Sequence, residues 1–219
     1  MNPLTLAIGN KNYSSWSLRP WLLLRQAKIP FDEVLIPLYG PDSAAALAKW
    51  SPSGKVPALH DGDIRVWDSL AICEYLAERF PDKELWPSDV AARAVARSVS
   101  AEMHSGFTAL REHMSMSIRA RRPGRGRTPK SLADIARIVS IWTDCRARFG
   151  ADGDFLFGRF SIADAMYAPV VLRFLTYGVV LEGVAKGYAE TVLALPALKE
   201  WMADAEVETE RIEQFERDA

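Results

Sequence analysis

The chain has 219 residues, 49% of them apolar and 25% charged, with a formal net charge of -1. That composition fits an ordinary globular protein of one or two domains with a sizeable core. Balanced charge gives no general attraction to nucleic acid or membrane, no apolar run spans a bilayer, and the two cysteines make neither a disulfide framework nor a zinc site. Cys73 and Cys145 fall in helical patterns, where a small buried hydrophobe is the expected role. The N-terminus lacks the basic and apolar regions of a signal peptide, so a cytoplasmic location is expected.

In chain order, Leu4 to Ile8 alternates and predicts a strand, which Gly9-Asn10-Lys11-Asn12 breaks. A helix is predicted from Ser17 to Lys28, with Pro20 in its first turn, where a missing N–H costs little. Phe31 to Leu38 predicts a second strand, and Asp42 to Lys49 a short helix. The stretch from Ser51 to Leu76 then reads as loop, two strands and helix. Pro52, Ser53 and Gly54 punctuate the loop, Val56 to Leu59 enters a strand, and Asp61-Gly62 signals a hairpin to Ile64–Trp67. Asp68 and Ser69 are N-cap residues for the helix that follows. The order βαβ then ββα is the thioredoxin-like pattern.

Phe80 to Ser88, carrying Pro81 and Pro87, reads as a linker between domains, and strand signals nearly vanish beyond it. The division is therefore a domain over residues 1–80, a linker over 81–87 and an all-helical domain over 88–219. Helices are predicted from Ser88 to Met116, from a capping box at Ser131–Asp134 to Phe149, and from a second box at Ser161–Asp164 to Tyr177. Shorter ones follow over Gly187–Leu195 and Pro196–Ala205, then a charged, weakly helical tail over Glu206–Ala219. Arg119 to Pro129 is a loop with five arginines, and Gly150 to Gly158 a loop with Phe155 and Phe157 turned inward.

Two features near residue 60 look chemical. Proline after Val56 at a strand edge leaves the Val56 N–H and C=O free to pair with an extended peptide. Asp68-Ser69 at a helix start adds free N–H groups and a positive dipole end. A peptide with a terminal carboxylate satisfies both; so does a plain hairpin followed by a capped helix with no ligand.

The segments GKVPAL and WDSLAICEYL resemble the glutathione-binding half of the glutathione transferase family, which carries a cis valine-proline bond and an acidic or amide residue before serine at the next helix. Ser14-Ser15-Trp16-Ser17-Leu18-Arg19 resembles the Ser-Ser-Cys-Ser-x-Arg signature of the zeta class. The likeness extends over most of the chain, by motif in the first half and by pattern in the second. It implies glutathione as co-substrate, no metal or other cofactor, a homodimer, and no nucleic-acid or membrane partner.

Glutathione chemistry needs a thiolate. A free thiol is about 3% ionised at neutral pH, and lowering its pKa by about two units takes about 2.7 kcal/mol. Nucleophilicity falls with pKa, so much of the rate must come from positioning the second substrate. The resemblance makes Ser14 the first choice of hydroxyl donor and Ser15 the second; Tyr13 stays open because other classes use a tyrosine there, and all three also suit plain helix capping. It gives Val56, beside Pro57, the cysteinyl part of glutathione. Asp68 and Ser69 take the γ-glutamyl end, and Lys55 either terminal carboxylate unless it is simply solvated. Arg19 is read as a structural brace. The second-substrate site is placed on Trp16 and on His104, Phe107 and Arg111, which with Met103 and Leu110 share helical faces that also fit a core stripe. The arginine-rich loop either draws an anionic substrate or is solvated.

Three functions follow from these expectations. The first is a transferase whose glutathione thiolate attacks a small hydrophobic electrophile. The second is a glutathione-dependent cis–trans isomerase of an unsaturated dicarboxylate, against which Trp16 stands, since the zeta class has cysteine there. The third is a non-catalytic binding or interaction protein of the same fold.

Overall fold

The inner strand β1 (Leu4–Gly9) runs parallel to β2 (Phe31–Ile36), with Leu4 opposite Phe31 and Gly9 opposite Ile36, in a computed structural model that describes residues 3–216. On its other side β1 pairs antiparallel with β3 (Ala58–Asp61), Leu6 opposite Leu59, and β3 returns as β4 (Ile64–Trp67). Gly62 supplies the φ of 60° that this tight turn requires. The sheet order is β2-β1-β3-β4. A parallel pair needs a crossover, here α1 (Ser15–Gln26). Helices α2 (Ser43–Trp50) and α3 (Ser69–Arg79) complete this half.

Several boundaries differ from the sequence reading, among them the end of α1 at Gln26, the start of β3 at Ala58 and the start of α8 at Gly183, and for two others the contacts give the reason. α1 begins two residues early because Ser14 caps it, its Oγ accepting from Ser17 N at 3.4 Å. β2 stops at Ile36 because Pro37 has no N–H for the ladder and Leu38 N donates instead to Asn10 Oδ1 at 2.8 Å.

Beyond a 3-10 turn at Pro81–Lys83 the chain is helical: α4 (Val90–Ser105), α5 (Thr108–His113), α6 (Pro129–Phe149), α7 (Ile162–Tyr177), α8 (Gly183–Ala194), α9 (Pro196–Val207) and α10 (Glu213–Glu216). No helix among the described residues is long and apolar enough to cross a membrane. α7 is the hub: its residues are buried nearly all round, and α1, α4 and α8 pack on it. Its entry box forms, with Asp164 accepting from Ser161 N at 2.8 Å and Leu156 N at 3.0 Å. Leu18, Trp21 and Leu22 of α1 share one continuous core with α3 and the helical domain.

The helix predicted over Ser88–Met116 is instead two helices broken at Gly106-Phe107. A Cβ on Gly106 would lie 2.8 Å from Glu102 O, and Phe107 takes a left-handed φ of 57°. Arg111 closes the break. It donates Nε to Gly106 O at 3.0 Å and Nη2 to His104 O at 3.2 Å and to Met103 O, satisfying the carbonyl end of α4. The box predicted at Ser131 also moves. Thr128 is the cap, with Pro129 first in the helix and Ser131 N donating to Thr128 Oγ1 at 3.1 Å, while Asp134 accepts from Leu110 N at 2.9 Å.

The charged tail does not lie free. Glu208 accepts from Asn12 N at 2.9 Å and from Lys11 N, and Arg122 Nη2 donates to Phe215 O at 2.7 Å. Arg119 reaches Glu208 O and Glu210 O, and Arg127 Nη2 reaches Gly178 O at 3.1 Å. These arginines of the 119–127 loop are thus neither simply solvated nor free for a substrate. They hold backbone carbonyls, most of them in the tail. The last residues of the predicted tail, 217–219, lie outside the described residues.

Candidate active site

Two cavities meet at the junction of the halves. The larger, about 680 Å³, is lined among others by Ser14, Ser15, Trp16, Val56 and Arg111. The smaller, about 420 Å³, is lined by Trp16, Lys55, Val56, Pro57, Asp68, Ser69 and His104. Trp16, Lys55 and Val56 belong to both, so a ligand longer than either cavity crosses from one to the other at these residues.

The β1–α1 turn sets the hydroxyls. Ser14 Oγ donates to Ser17 Oγ at 2.7 Å, and Ser17 Oγ accepts from Gly9 N at 3.1 Å, so Ser14 is tied into the cap. Ser15 Oγ accepts from Arg173 Nη2 at 3.1 Å. Tyr13 is drawn toward the tail: its OH donates to Glu216, accepts from Arg119 Nη2 at 3.2 Å, and its ring stacks on Phe215 with centroids 5.6 Å apart.

Opposite lies the strand edge. The Val56–Pro57 peptide is cis, and no described protein group pairs with the Val56 N–H or C=O. Beside it, Asp68 holds a left-handed φ of 75° at the tip of α3. Such strain in a non-glycine residue collects at functional sites. Asp68 Oδ1 accepts from Leu70 N at 2.9 Å and Ala71 N at 3.2 Å, and its Oδ2 lies 2.6 Å from His104 Nε2. Burial pushes this carboxyl up, but the His104 hydrogen bond and the Ala71 and Leu70 N–H groups outweigh it and hold the pKa below its usual value.

Positive charge gathers behind Trp16. The Arg19 and Arg111 guanidiniums stack over its ring at 4.3 and 4.7 Å from the centroid. Arg19 is fully buried, donates Nη1 to Ser69 Oγ at 3.2 Å, and leaves Nε and Nη2 without a partner. Burial first, then the charges of Arg111 and Arg173, hold it well below the ordinary guanidinium value. Burial, then Arg111, brings Arg173 down to about 9. Among the described residues none of the three makes an ion pair. Among the described residues, none lining the larger cavity is acidic. The site is therefore an anion-seeking pocket with two serine hydroxyls, an open peptide edge and a helix tip.

Of the residues singled out in the sequence, Ser14, Ser15, Trp16, Lys55, Val56, Pro57, Asp68, Ser69 and Arg111 come together here. His104 lies in the smaller cavity on Asp68, not in the larger one. Phe107 is buried in the core at the helix break, and neither cavity includes it. Both cysteines are buried, and burial pushes the Cys145 thiol up to about 12, so neither is a nucleophile. Sequence reasoning missed Arg173, and with it Tyr39, Met116 and Phe215 on the cavity wall. Only Arg173 left a signal, one cationic residue in the apolar run of α7.

A thioredoxin-like half bearing this edge and helix tip, joined to a helical half, defines a two-domain α/β plus all-α class of fold. The family described as "Glutathione S-transferase, N-terminal domain" matches residues 13–79 and its C-terminal counterpart residues 94–204, and the chain belongs to the glutathione S-transferase family. It is 30% identical over 139 residues to glutathione S-transferase Z2 of Arabidopsis thaliana, a match covering 61% of this chain and 60% of that one, less than two thirds of either. It is 26% identical over 183 residues to glutathione S-transferase GstB of Escherichia coli (strain K12), covering 79% of this chain and 85% of that one. In fold it is similar to a glutathione transferase homolog from Burkholderia gl BGR1 with bound glutathione, with a TM-score of 0.70 and 22% identity over 94% of this chain and 99% of that one.

Proposed function

We propose that the chain is a cytoplasmic glutathione transferase that binds glutathione across both cavities and presents its sulfur, as thiolate, to a small electrophile. Residues 1–80 bind glutathione, and residues 88–219 wall the second-substrate site. The Val56 backbone pairs with the cysteinyl unit. Asp68 accepts from the γ-glutamyl ammonium, Ser69 and the α3 N–H groups take its carboxylate, and Lys55 meets the glycyl carboxylate. Ser15 is the sulfur-facing hydroxyl and Ser14 the cap. The carrying observation is that the serine hydroxyls of Ser14 and Ser15 and the Val56 edge, which no described protein group pairs with, line one and the same cavity. A homodimer is taken from family likeness, and light scattering tests it.

Calorimetry with glutathione and conjugation of a chlorodinitrobenzene-type electrophile test this reading. The expected result is binding, turnover, and a loss of about tenfold or more in kcat/KM for Ser15→Ala, with a smaller loss for Ser14→Ala. Absence of glutathione binding refutes it. Binding without turnover favours an interaction protein instead.

One observation favours a second reading. Arg111 and Arg173 line the larger cavity without ion-pair partners among the described residues and suit a carboxylate on the second substrate. That fits a glutathione-dependent cis–trans isomerase, in which the thiol adds, the carbon bond rotates and the thiol leaves. Turnover of maleylacetoacetate or maleylpyruvate tests it.

A further inference from the structure

Arg173 sits on α7, 4% exposed, and spends its guanidinium on neutral acceptors: Nε on Met114 O at 2.9 Å, Nη1 on Pro169 O at 3.4 Å and Nη2 on Ser15 Oγ at 3.1 Å. A buried charge without a counter-ion is costly, and a merely structural donor to three neutral oxygens has no need of it.

The chemistry of the contact is one-sided. A guanidinium only donates, so Ser15 Oγ must accept from it, and the hydroxyl proton is left to point elsewhere. Ser15 opens on the larger cavity. Ser14 contrasts with it, its proton already given to Ser17 Oγ. A hydroxyl that accepts from a cation is also a stronger donor, because hydrogen bonds in a chain polarise one another.

We infer that Arg173 is a positioning residue, which commits the Ser15 hydroxyl to donate into the cavity and so stabilises an anion there, the glutathione thiolate. The inference rests on the transferase reading. When glutathione binds, its S–H bond breaks, the proton leaves to water, and the sulfur accepts the Ser15 O–H; nothing is oxidised or reduced. The other charged and titratable groups lining this cavity are Arg111 from α5, Lys55 from the loop before β3, Tyr39 from the loop after β2 and Tyr13 from the β1–α1 turn. Arg19 stands behind Trp16 and Tyr177 beside Arg173. Arg111 shares its charge with the carbonyl end of α4 and Arg19 donates to Ser69 Oγ, so Arg173 is the cation joined directly to the Ser15 hydroxyl.

The test is a pH titration of the thiolate ultraviolet absorbance of bound glutathione, with folding of each variant followed by circular dichroism. Ser15→Ala and Arg173→Gln each raise the bound thiol pKa by about one unit, a tenfold loss of thiolate well below the pKa. Glutamine keeps a donor for Met114 O and removes the charge. Arg173→Lys gives a smaller rise, since one ammonium keeps the charge but not the fork. Combined with Ser15→Ala, Arg173→Gln adds no more than about a few tenths of a unit, because its effect runs through the hydroxyl. A wild-type thiol pKa in Arg173→Gln, or a full second shift on top of Ser15→Ala, overturns the inference. Should Arg173→Gln not fold, Arg173→Lys carries the same comparison, and an unmoved pKa there overturns it equally. Failure of the wild type to bind glutathione sinks the transferase reading itself, whereas a bound thiolate indifferent to Arg173 sinks only this assignment.

Discussion

Asp68→Asn separates the fold of the α3 tip from its proposed chemistry. The aspartate caps the helix through Oδ1, which accepts from two N–H groups, at 2.9 and 3.2 Å. Asparagine offers the same oxygen and tolerates the left-handed φ of 75° about as well. It loses the negative charge that accepts from the γ-glutamyl ammonium, and with it the charge facing His104 Nε2, 2.6 Å away in the partly exposed Asp68 contact. A hydrogen bond to a charged group contributes about 1.5–3 kcal/mol. The side chain is 40% exposed, so the lower end applies. About 1.5 kcal/mol weakens glutathione binding somewhat more than tenfold, with Tm unchanged. Asp68→Ala also loses the cap, about 1–2 kcal/mol, and puts alanine at positive φ, about 1 kcal/mol more. Its Tm falls by about 5–10 °C. Calorimetric titration and differential scanning calorimetry on both variants check this. Wild-type affinity in Asp68→Asn, or melting as low as that of Asp68→Ala, refutes the division of roles. The lowered pKa sets the pH window: the charge and its contribution persist above the ordinary carboxylate value and are lost as pH falls through the lower folded one.

Arg111→Met strips the carbonyl end of α4 of three hydrogen bonds and Trp16 of one stacked cation, and the expected loss is about 3 kcal/mol, read as a Tm drop of about 6–12 °C. Phe215→Ala removes one wall of the larger cavity and the stack on Tyr13, so the KM for the electrophile rises about fivefold while that for glutathione stays put; equal rises in both would show that the tail does not wall the second-substrate site. Burial pushes the Asp164 carboxyl from 3.8 up to about 6, although Leu156 and Ser161 donate to it, so its ionised form weighs against the fold. The favourable contribution is complete below the unfolded value and is lost as pH rises through about 6, on the order of 3 kcal/mol, so denaturant titrations of wild type against Asp164→Asn diverge between pH 4 and 7.

The sequence announced the α/β half because its signals are local. Alternation marks β1, Asp61-Gly62 the turn into β4, and Asp68 the start of α3, each within a few residues. Ser161 and Asp164 likewise mark the entry to α7. The break after α4 was hidden because one glycine in a helical run reads as tolerable. What ends the helix is Arg111, returning from the next element to take its carbonyls. Similarly, Pro129 and Thr128 outweigh Ser131 as the start of α6, a competition among neighbouring caps that spacing alone does not decide.

Half of the candidate site was legible for the same reason and half was not. Ser14 to Trp16 and Val56 to Ser69 are contiguous motifs and Arg111 falls on the helical stripe read for the second substrate, whereas the cationic wall as a whole takes Arg19 from α1, Arg111 from α5 and Arg173 from α7, which meet only once α1 packs on α7. An arginine in the apolar run of α7 tells the reader that something polar must answer it, without naming the partner. The partner is Ser15, 158 residues away, and the contact turns an ordinary-looking helix-start serine into a directed donor. The five arginines of the 119–127 loop drew more attention in the sequence than those three. Yet charge density along a chain says little about where charge is uncompensated. Arg119, Arg122 and Arg127 hold carbonyls at the surface and in the tail, while the solitary buried arginines carry the field that a thiolate would feel.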